Sequence, residues 1–366
     1  MTRFLETHII QTLPPSNINR DGNNNPKTCV YGGVPRARVS SQAWKKAMRD
    51  TFRTLVDSSQ LGVRSREFTG VIADKLGVNS DDEHLLDVTG KLMKSLGLPI
   101  DKDHPGNTSA LQFFGAPQWD TLARITGEAL DSDDPDTVIK SHAKEARAAL
   151  DSDRSLDIAL FGRMSASDDK NKASAYTVDA ACQVAHAFSI NPANIEWDYF
   201  TAMDEHEGAT GAGMIQNSGF MSSTLYRYAC IDLHLLDRNL DHDPDALRET
   251  VRSFLTAFVH SMPGGKKNSY APETMPAFIL TDIRDTRPIN LADAFLAPVP
   301  DPAVANGTAA LMSRFAEMST VYGEPEPFTR ITAGNAAMSM LDAETREHAV
   351  PLPQLIKDTT DNAVNQ

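Results

Sequence analysis

The order of strand-like and helix-like hydrophobic patterns is the feature that most constrains the fold of this chain. Runs of alternating or β-branched apolar residues predict strands, and apolar residues spaced at about 3.6 predict helices. With the insertions set aside, the order is strand, helix, strand, strand, helix, strand, over residues 4–13, 41–57, 156–164, 224–235, 244–262 and 276–282. This βαββαβ order is typical of ferredoxin-like folds and of RNA-recognition motifs (RRMs), which bind single strands on their sheet face. The sequence therefore predicts an α+β fold.

Other segments extend or interrupt this order. Residues 58–150 carry helix-like patterns separated by acidic breaks, which predicts a helical insertion with its own lobe. Residues 196–222 combine aromatic side chains with glycines, which predicts a hairpin or an extended flap with a mobile tip. Apolar residues also recur at helical spacing over 178–188, and the segment after 282 is predicted to be helical and then irregular.

A cationic segment stands out against an acidic chain. The whole sequence has a net charge of −14 at pH 7, which argues against a protein that coats nucleic acid over its entire surface. Residues 27–53, however, contain only one acid, Asp50, so this segment carries +6 and the rest of the chain −20. Its basic residues are Lys27, Arg36, Arg38, Lys45, Lys46, Arg49 and Arg53. A basic stripe on an acidic body predicts binding of one polyanion along one groove.

The cationic segment includes the predicted start of a helix. Ser40 and Gln42 lie where the helix begins, and Lys45 and Arg49 follow within two turns. A helix N-terminus offers free N–H groups and a favourable dipole to an anion. Amphipathic helices with a solvated cationic flank are common, so the helix alone does not establish binding. The cationic strand before it and the polar loop over 16–33 favour a nucleic-acid interface.

Other classes of site lack support in the sequence. Cys29, Cys182 and Cys230 form no Cys-x-x-Cys pair and the histidines show no ligand spacing, so neither a metal site nor a cofactor is predicted. The Gly-Gly-Lys-Lys turn at 264–267 lacks the first glycine and the Ser or Thr of a nucleotide-binding loop. No catalytic motif, membrane span or signal core is present, which predicts a cytoplasmic protein that is not an enzyme.

Seven blocks of sequence, taken in order, point to a known family. They include the Arg-Ala-Arg-Val-Ser-Ser-Gln block at 36–42 and lie at residues 15–21, 31–33, 36–49, 157–164, 197–202, 226–229 and 263–271. Together they resemble the CasC family, the repeated backbone subunit of the type I-E CRISPR surveillance complex, Cascade. The resemblance extends over nearly the whole chain.

The resemblance implies a hand-shaped subunit with a modified RRM or ferredoxin-like palm, a helical finger insertion and a β-hairpin-like thumb. The palm would comprise residues 1–57, 151–195 and 223–366, the fingers 58–150 and the thumb 196–222. Copies of the subunit would line up along a guide RNA (crRNA) as a helical filament, together with other Cascade subunits. The guide would then pair with target DNA in antiviral defence, so that base pairing recognises sequence while the protein holds the backbone.

The resulting set of candidate RNA-binding residues is Asn19, Arg20, Lys27, Arg38, Ser40, Gln42, Lys45, Lys46, Arg49, Arg163, Met164, Phe200, Lys266 and Lys267. The resemblance implies that side chains at the start of the helix take phosphates and that Met164 and Phe200 flank or wedge the bases. In the acidic finger insertion, Lys140 and Lys144 are the candidates to hold target DNA.

Two other functions remain open on the sequence alone. A backbone subunit of the type III kind cuts target RNA with a loop aspartate, and Asp21 lies in the polar loop. A general single-strand binder would take any RNA with similar affinity in the absence of partner subunits.

Overall fold

The computed structural model describes residues 3–152, 154–165, 176–203 and 212–365. Its strands, numbered in chain order, are β1 (Phe4–Ser16), β2 (Thr28–Tyr31), β3 (Val34–Val39), β4 (Gly62–Ser65), β5 (Gln112–Gly115), β6 (Cys182–Val184), β7 (Ala187–Ser189), β8 (Glu196–Met203), β9 (Ala212–Asp232), β10 (Phe278–Arg284) and β11 (Phe328–Ala333). The helices are α1 (Ser41–Leu55), α2 (Phe68–Leu76), α3 (Glu83–Leu96), α4 (Ala116–Leu130), α5 (Pro135–Asp151), α6 (Leu156–Phe161), α7 (Leu233–Asn239), α8 (Pro244–His260), α9 (Lys267–Tyr270), α10 (Ala303–Thr320), α11 (Asn335–Met338), α12 (Ala343–Glu347) and α13 (Leu352–Val364).

The main sheet is antiparallel and has the order β11-β10-β1-β9-β7-β3-β2. Its middle strands β10, β1, β9 and β7 are the fourth, first, third and second strands of a βαββαβ unit. Phe4 of β1 pairs with Asp232 of β9 on one side and with Arg284 of β10 on the other. This strand order confirms the ferredoxin-like arrangement predicted from the sequence.

The predicted strand over 156–164 is wrong, because these residues form helix α6. Every residue from Leu156 to Leu160 is buried, and a short run buried on all sides has no periodicity that separates a strand from a helix. Gly162 follows the helix with a φ of 75°. A Cβ at this position would lie 2.8 Å from the carbonyl oxygen of Val178, so the close approach of the chain requires glycine.

The predicted helix over 178–188 is also wrong, because this segment contains strands β6 and β7. Phe188 of β7 pairs with Arg38 of β3 on one side and with Tyr226 of β9 on the other. Pairing with two neighbouring strands stabilises the extended conformation of this segment, although its apolar residues have the spacing that is typical of a helix. Strand β7, rather than 156–164, occupies the place of the second strand.

The sheet is covered on both faces. On one face, Trp44 of α1 and Phe258 of α8 stack against the guanidinium of Arg227. On the other face, Tyr226 and Tyr228 are buried in an apolar cluster with side chains from the C-terminal part of the chain, including α10. The open sheet face on which an RRM binds single strands is therefore occupied here by the protein itself.

The helical insertion forms most of a second compact unit, made of residues 52–182 and 235–250. Its core surrounds Trp119 of α4, whose ring packs against Phe68 and Phe114. The predicted finger segment ended at 150, whereas this unit also takes in 151–182. The first unit consists of residues 1–51, 183–234 and 251–366.

The hairpin expected over 196–222 is present as strands β8 and β9. Their pairing extends from Glu196 opposite Phe220 to Met203 opposite Ala212. The expected mobile tip, over 204–211, lies outside the described residues. None of the described helices combines the length and hydrophobicity that a membrane span requires.

Candidate nucleic-acid interface

The polar loop between β1 and β2 has a fixed internal structure. The Oδ1 atom of Asp21 accepts hydrogen bonds from the backbone N–H groups of Asn23 and Asn25, at 2.8 and 2.9 Å. The side-chain amide of Asn17 donates to the carbonyl oxygens of Asn24 and Gly219, at 3.0 and 2.9 Å. The loop is therefore folded back on itself and attached to the base of the β8–β9 hairpin.

Asn19 connects this loop to the start of helix α1. Its Oδ1 atom accepts from the backbone N–H of Ser40 at 2.9 Å and from the Ser40 hydroxyl at 3.0 Å. The Ser40 carbonyl oxygen in turn accepts the N–H groups of Ala43 and Trp44. Two of the predicted RNA-binding residues, Asn19 and Ser40, thus bond to each other and fix where the helix begins.

The Gly-Gly-Lys-Lys turn docks against the same loop. A Cβ at Gly265 would lie 2.4 Å from the carbonyl oxygen of Ile18, so only glycine allows the two backbones to approach so closely. The ammonium of Lys266 donates to the hydroxyl of Ser218 on the hairpin. The structure therefore brings together four segments that are distant in sequence: the polar loop, the start of α1, the hairpin base and this turn.

The cations Lys27 and Arg38 lie beside these segments, close to the imidazole of His186. The Nη1 atom of Arg38 lies 3.3 Å from the Nδ1 atom of His186. Burial, followed by the charges of Arg38 and Lys27, lowers the pKa of His186 below its ordinary value. Lys27 and Arg38 also line a small pocket together with Asn19. His186 was not among the predicted site residues, because a single histidine carries no signal until the fold places it beside two cations.

Other members of the predicted RNA-binding set differ in how accessible they are to a phosphate. Arg20 is exposed, as is the neutral Gln42, and Lys45 and Arg49 are half-buried on α1. Lys46 is exposed but forms an ion pair of 2.6 Å with Asp50. Lys267 likewise pairs with an acid, Glu273.

Arg36 belongs to the basic segment but is fully buried. Its guanidinium donates to the carbonyl oxygens of Ser189 and Phe295, at 3.0 and 3.1 Å. Arg36 therefore ties β3 to its neighbours, and the surface charge of the segment is smaller than the sequence suggests.

The predicted RNA contact of Arg163 is wrong, because this side chain is buried with an exposure of 4%. It donates to the carbonyl oxygens of Tyr176 and Leu150, at 2.5 and 2.6 Å, and to Gln118 Oε1 at 3.0 Å. Burial lowers the pKa of Arg163 to about 10. Arg163 therefore connects parts of the helical unit and is not available to a phosphate.

The two apolar residues of the predicted set are exposed. Met164, in the helical unit, is 89% exposed, and Phe200, on strand β8, is 38% exposed. Trp197 and Tyr199 lie on the other face of β8 with exposures of 58% and 64%. These two aromatic side chains were not predicted as site residues, although the alternation of residues along a strand places them together.

One group of buried side chains has the composition of a metal site. The ligand atoms of Glu6, His8 and Asp282 lie within 4.8 Å of one another on strands β1 and β10. The Nε atom of Arg284, however, lies 2.8 Å from Glu6 Oε2 and 2.7 Å from Asp282 Oδ2. The carboxylates therefore already have a cation supplied by the protein, which competes with any metal ion.

The fold and this surface define an α+β protein with a ferredoxin-like sheet, a helical insertion, a β-hairpin and a cationic surface where the polar loop meets the start of α1. A family model described as CT1975-like protein matches residues 5–358, and the chain belongs to this family. No match was found among curated proteins.

The chain is also similar to subunits of solved complexes. One, from a structure described as a CRISPR RNA-guided surveillance complex, pre-nicking, is 30% identical, with a TM-score of 0.81 over 98% of this chain and 100% of that chain. A second, from a CRISPR RNA-guided surveillance complex, is 26% identical, with a TM-score of 0.62 over 98% and 99% of the two chains. The protein is thus a CRISPR-associated protein of the surveillance-complex type.

Proposed function

We propose that the protein is the guide-RNA-binding backbone subunit of a Cascade-type surveillance complex, of the type I-E kind, and that it polymerises along the guide without cutting it. The observation that carries this proposal is the convergence at the start of α1. The polar loop, β3, α1 and the glycine turn all carry cations, and contacts join the loop to the start of α1 and to the turn, an arrangement that favours binding of a polyanion near one helix N-terminus. The similar chains come from RNA-guided complexes.

The charge distribution suits a subunit that binds RNA at one place only. The chain has a net charge of −14, yet the segment over 27–53 is strongly basic. An acidic surface elsewhere repels a polyanion and confines it to the cationic surface. The exposed Met164 and Phe200 are apolar side chains of the kind that separate stacked bases. In this proposal, the exposed guide pairs with target DNA.

RNA cleavage by Asp21 is the second candidate function, and the geometry of the loop does not favour it. The Asp21 carboxylate accepts two backbone N–H groups of its own loop, which accounts for an aspartate at this position without catalysis.

Replacing Lys45 and Arg49 with alanine tests the proposed interface. The Lys45→Ala/Arg49→Ala variant, expressed with a guide RNA and purified through a tag on the chain, should retain much less RNA. The logarithm of the RNA-binding constant falls as the logarithm of the salt concentration rises. The magnitude of this slope should decrease by about 1 for each phosphate that the variant no longer binds. RNA yield and length would be measured on a denaturing gel.

A matched control removes the same charge elsewhere. Arg346 and Lys357 are exposed cations on α12 and α13. The Arg346→Ala/Lys357→Ala variant should retain RNA as the unmodified protein does. Equal loss of RNA in both variants would mean that net charge, and not this interface, controls binding. Unchanged RNA in the Lys45→Ala/Arg49→Ala variant would contradict the proposed function.

A further inference from the structure

A buried arginine lies directly beneath the first turn of the cationic helix. Arg227, on β9, is only 1% exposed. Its guanidinium carbon lies 3.8 Å from the ring centroid of Trp44 in α1 and 4.6 Å from that of Phe258 in α8. One guanidinium nitrogen donates to Gln11 Oε1 at 2.6 Å and another to the carbonyl oxygen of Phe258. The charge is therefore enclosed between two aromatic rings and two neutral acceptors.

This buried charge has no acidic partner among the described residues. The contacts of Arg227 are the two rings and the two neutral acceptors, and its Nε atom has no hydrogen-bond partner in the described part of the chain. Arg284, by comparison, lies between two carboxylates. Burial alone lowers the pKa of Arg227 to about 9, so the side chain is still charged at neutral pH. A buried cation without a counter-ion is costly, and natural proteins rarely retain one.

The position of this charge increases the free-energy cost of burying it. The N-terminus of a helix carries a partial positive charge, so a cation there is unfavourable and an anion is favourable. The first turn of α1 contains no acidic residue that could balance it. An apolar side chain of similar volume would fill the space between Trp44 and Phe258 without the cost of desolvating a charge, although Gln11 Oε1 and the carbonyl oxygen of Phe258 would lose their donor. Arg36 and Arg163 are also buried and donate to neutral oxygens, so what distinguishes Arg227 is its contact with Trp44 at the start of the cationic helix.

We propose that Arg227 is a positioning residue for the RNA-binding helix and that an RNA phosphate at the first turn of α1 is its counter-ion in the complex. The guanidinium holds Trp44, and through it the turn that begins at Ser41, while its charge adds to the potential that attracts the phosphodiester. This inference rests on the proposed function, because it assigns a partner to a charge beneath the same interface.

The test separates the charge of Arg227 from its packing. Arg227→Met keeps most of the volume and removes the charge, and Arg163→Met removes a buried arginine from the other unit. Arg227→Lys restores a cation when the titration is run at mildly acidic pH, because burial lowers the pKa of a lysine and a buried ammonium is more fully protonated there. Each full-length variant would be titrated with a fluorescently labelled oligouridylate at several salt concentrations, and its thermal unfolding measured without RNA.

Arg227→Met removes a buried charge but also leaves Gln11 Oε1 and the carbonyl oxygen of Phe258 without a donor, so its thermal unfolding is measured to establish that it is folded at the temperature of the RNA titration. It should bind RNA roughly 3- to 10-fold more weakly at low salt, as expected for a charge removed at close range under partial screening. Arg227→Lys should recover most of this affinity. Arg163→Met should unfold at a lower temperature yet bind RNA with the unmodified salt dependence while it remains folded.

Two outcomes would overturn the inference. One is an Arg227→Met variant that binds RNA with unchanged affinity and salt dependence, and the other is a loss of affinity that Arg227→Lys does not recover. If Lys45→Ala/Arg49→Ala weakens binding while Arg227→Met does not, the proposed function stands and only the role of Arg227 fails. If Lys45→Ala/Arg49→Ala also binds normally, the proposed function itself fails.

Discussion

At the scale of single residues, the arginines of this protein have different environments and different roles. Arg38 lies at the cationic surface beside His186. Arg36 and Arg163 are buried and donate to backbone carbonyl oxygens. Arg227 is buried between aromatic rings. The sequence counts all of them as positive charge, but only a charge that reaches the surface can contact RNA directly.

The buried carboxyl of Glu6 predicts a specific pH dependence. Burial and the neighbouring Asp282 raise the pKa of Glu6 to about 8, although Arg284 and the hydroxyl of Tyr228 act in the opposite direction. In the unfolded chain the pKa returns to its ordinary value near 4.5. The folded protein therefore binds the proton more tightly, and stability present below pH 4.5 is lost as pH rises towards 8.

Substitution of Glu6 by glutamine should remove this contribution. Between pH 5 and 8, the free energy of unfolding of the unmodified protein should fall by about 1 kcal/mol or more relative to that of Glu6→Gln. Urea unfolding at several pH values, followed by circular dichroism, measures the difference. Parallel pH profiles for the two proteins would show that Glu6 does not titrate in this range.

At the scale of elements, the interface depends on a close approach between two turns. Gly264 and Gly265 are adjacent, but a Cβ at Gly264 meets no atom within 4 Å, whereas one at Gly265 would lie 2.4 Å from Ile18 O. Gly265 thus holds the turn that carries Lys266 against the polar loop. The two glycines form a matched pair for mutagenesis.

Gly265→Ala should displace the turn and weaken both stability and RNA binding. We expect a loss of about 1–3 kcal/mol in the free energy of unfolding, as for other overpacked sites. Gly264→Ala should change neither property by comparison. Denaturant unfolding and RNA co-purification measure the two effects. A Gly265→Ala variant as stable as Gly264→Ala would mean that the turn shifts without cost and does not position Lys266.

At the scale of the whole molecule, the proposed function predicts how copies assemble. A backbone subunit of a filament occupies a fixed length of RNA, so the number of bound chains should increase in proportion to RNA length. Native mass spectrometry of particles formed on guides of two lengths would count the chains. One chain per RNA at both lengths would favour a single-site binder and contradict the filament.

Several features of this molecule were determined by local sequence. The ferredoxin-like order was predictable because β1, α1, α8 and β10 are long enough to show a clear hydrophobic period. The hairpin at 196–222 was predictable from its glycines and aromatic residues. The cationic segment was predictable from charge alone, since charge depends on composition and not on folding.

Only the tertiary structure decided the rest. Residues 156–164 and 178–188 are short and apolar, so their secondary structure depends on the strands and helices that surround them. Whether an arginine reaches solvent, as Arg38 does, or is buried, as Arg227 is, depends on which face of a strand the fold covers. The meeting of the polar loop with the Gly265 turn joins residues more than two hundred positions apart, and no local pattern encodes such a contact.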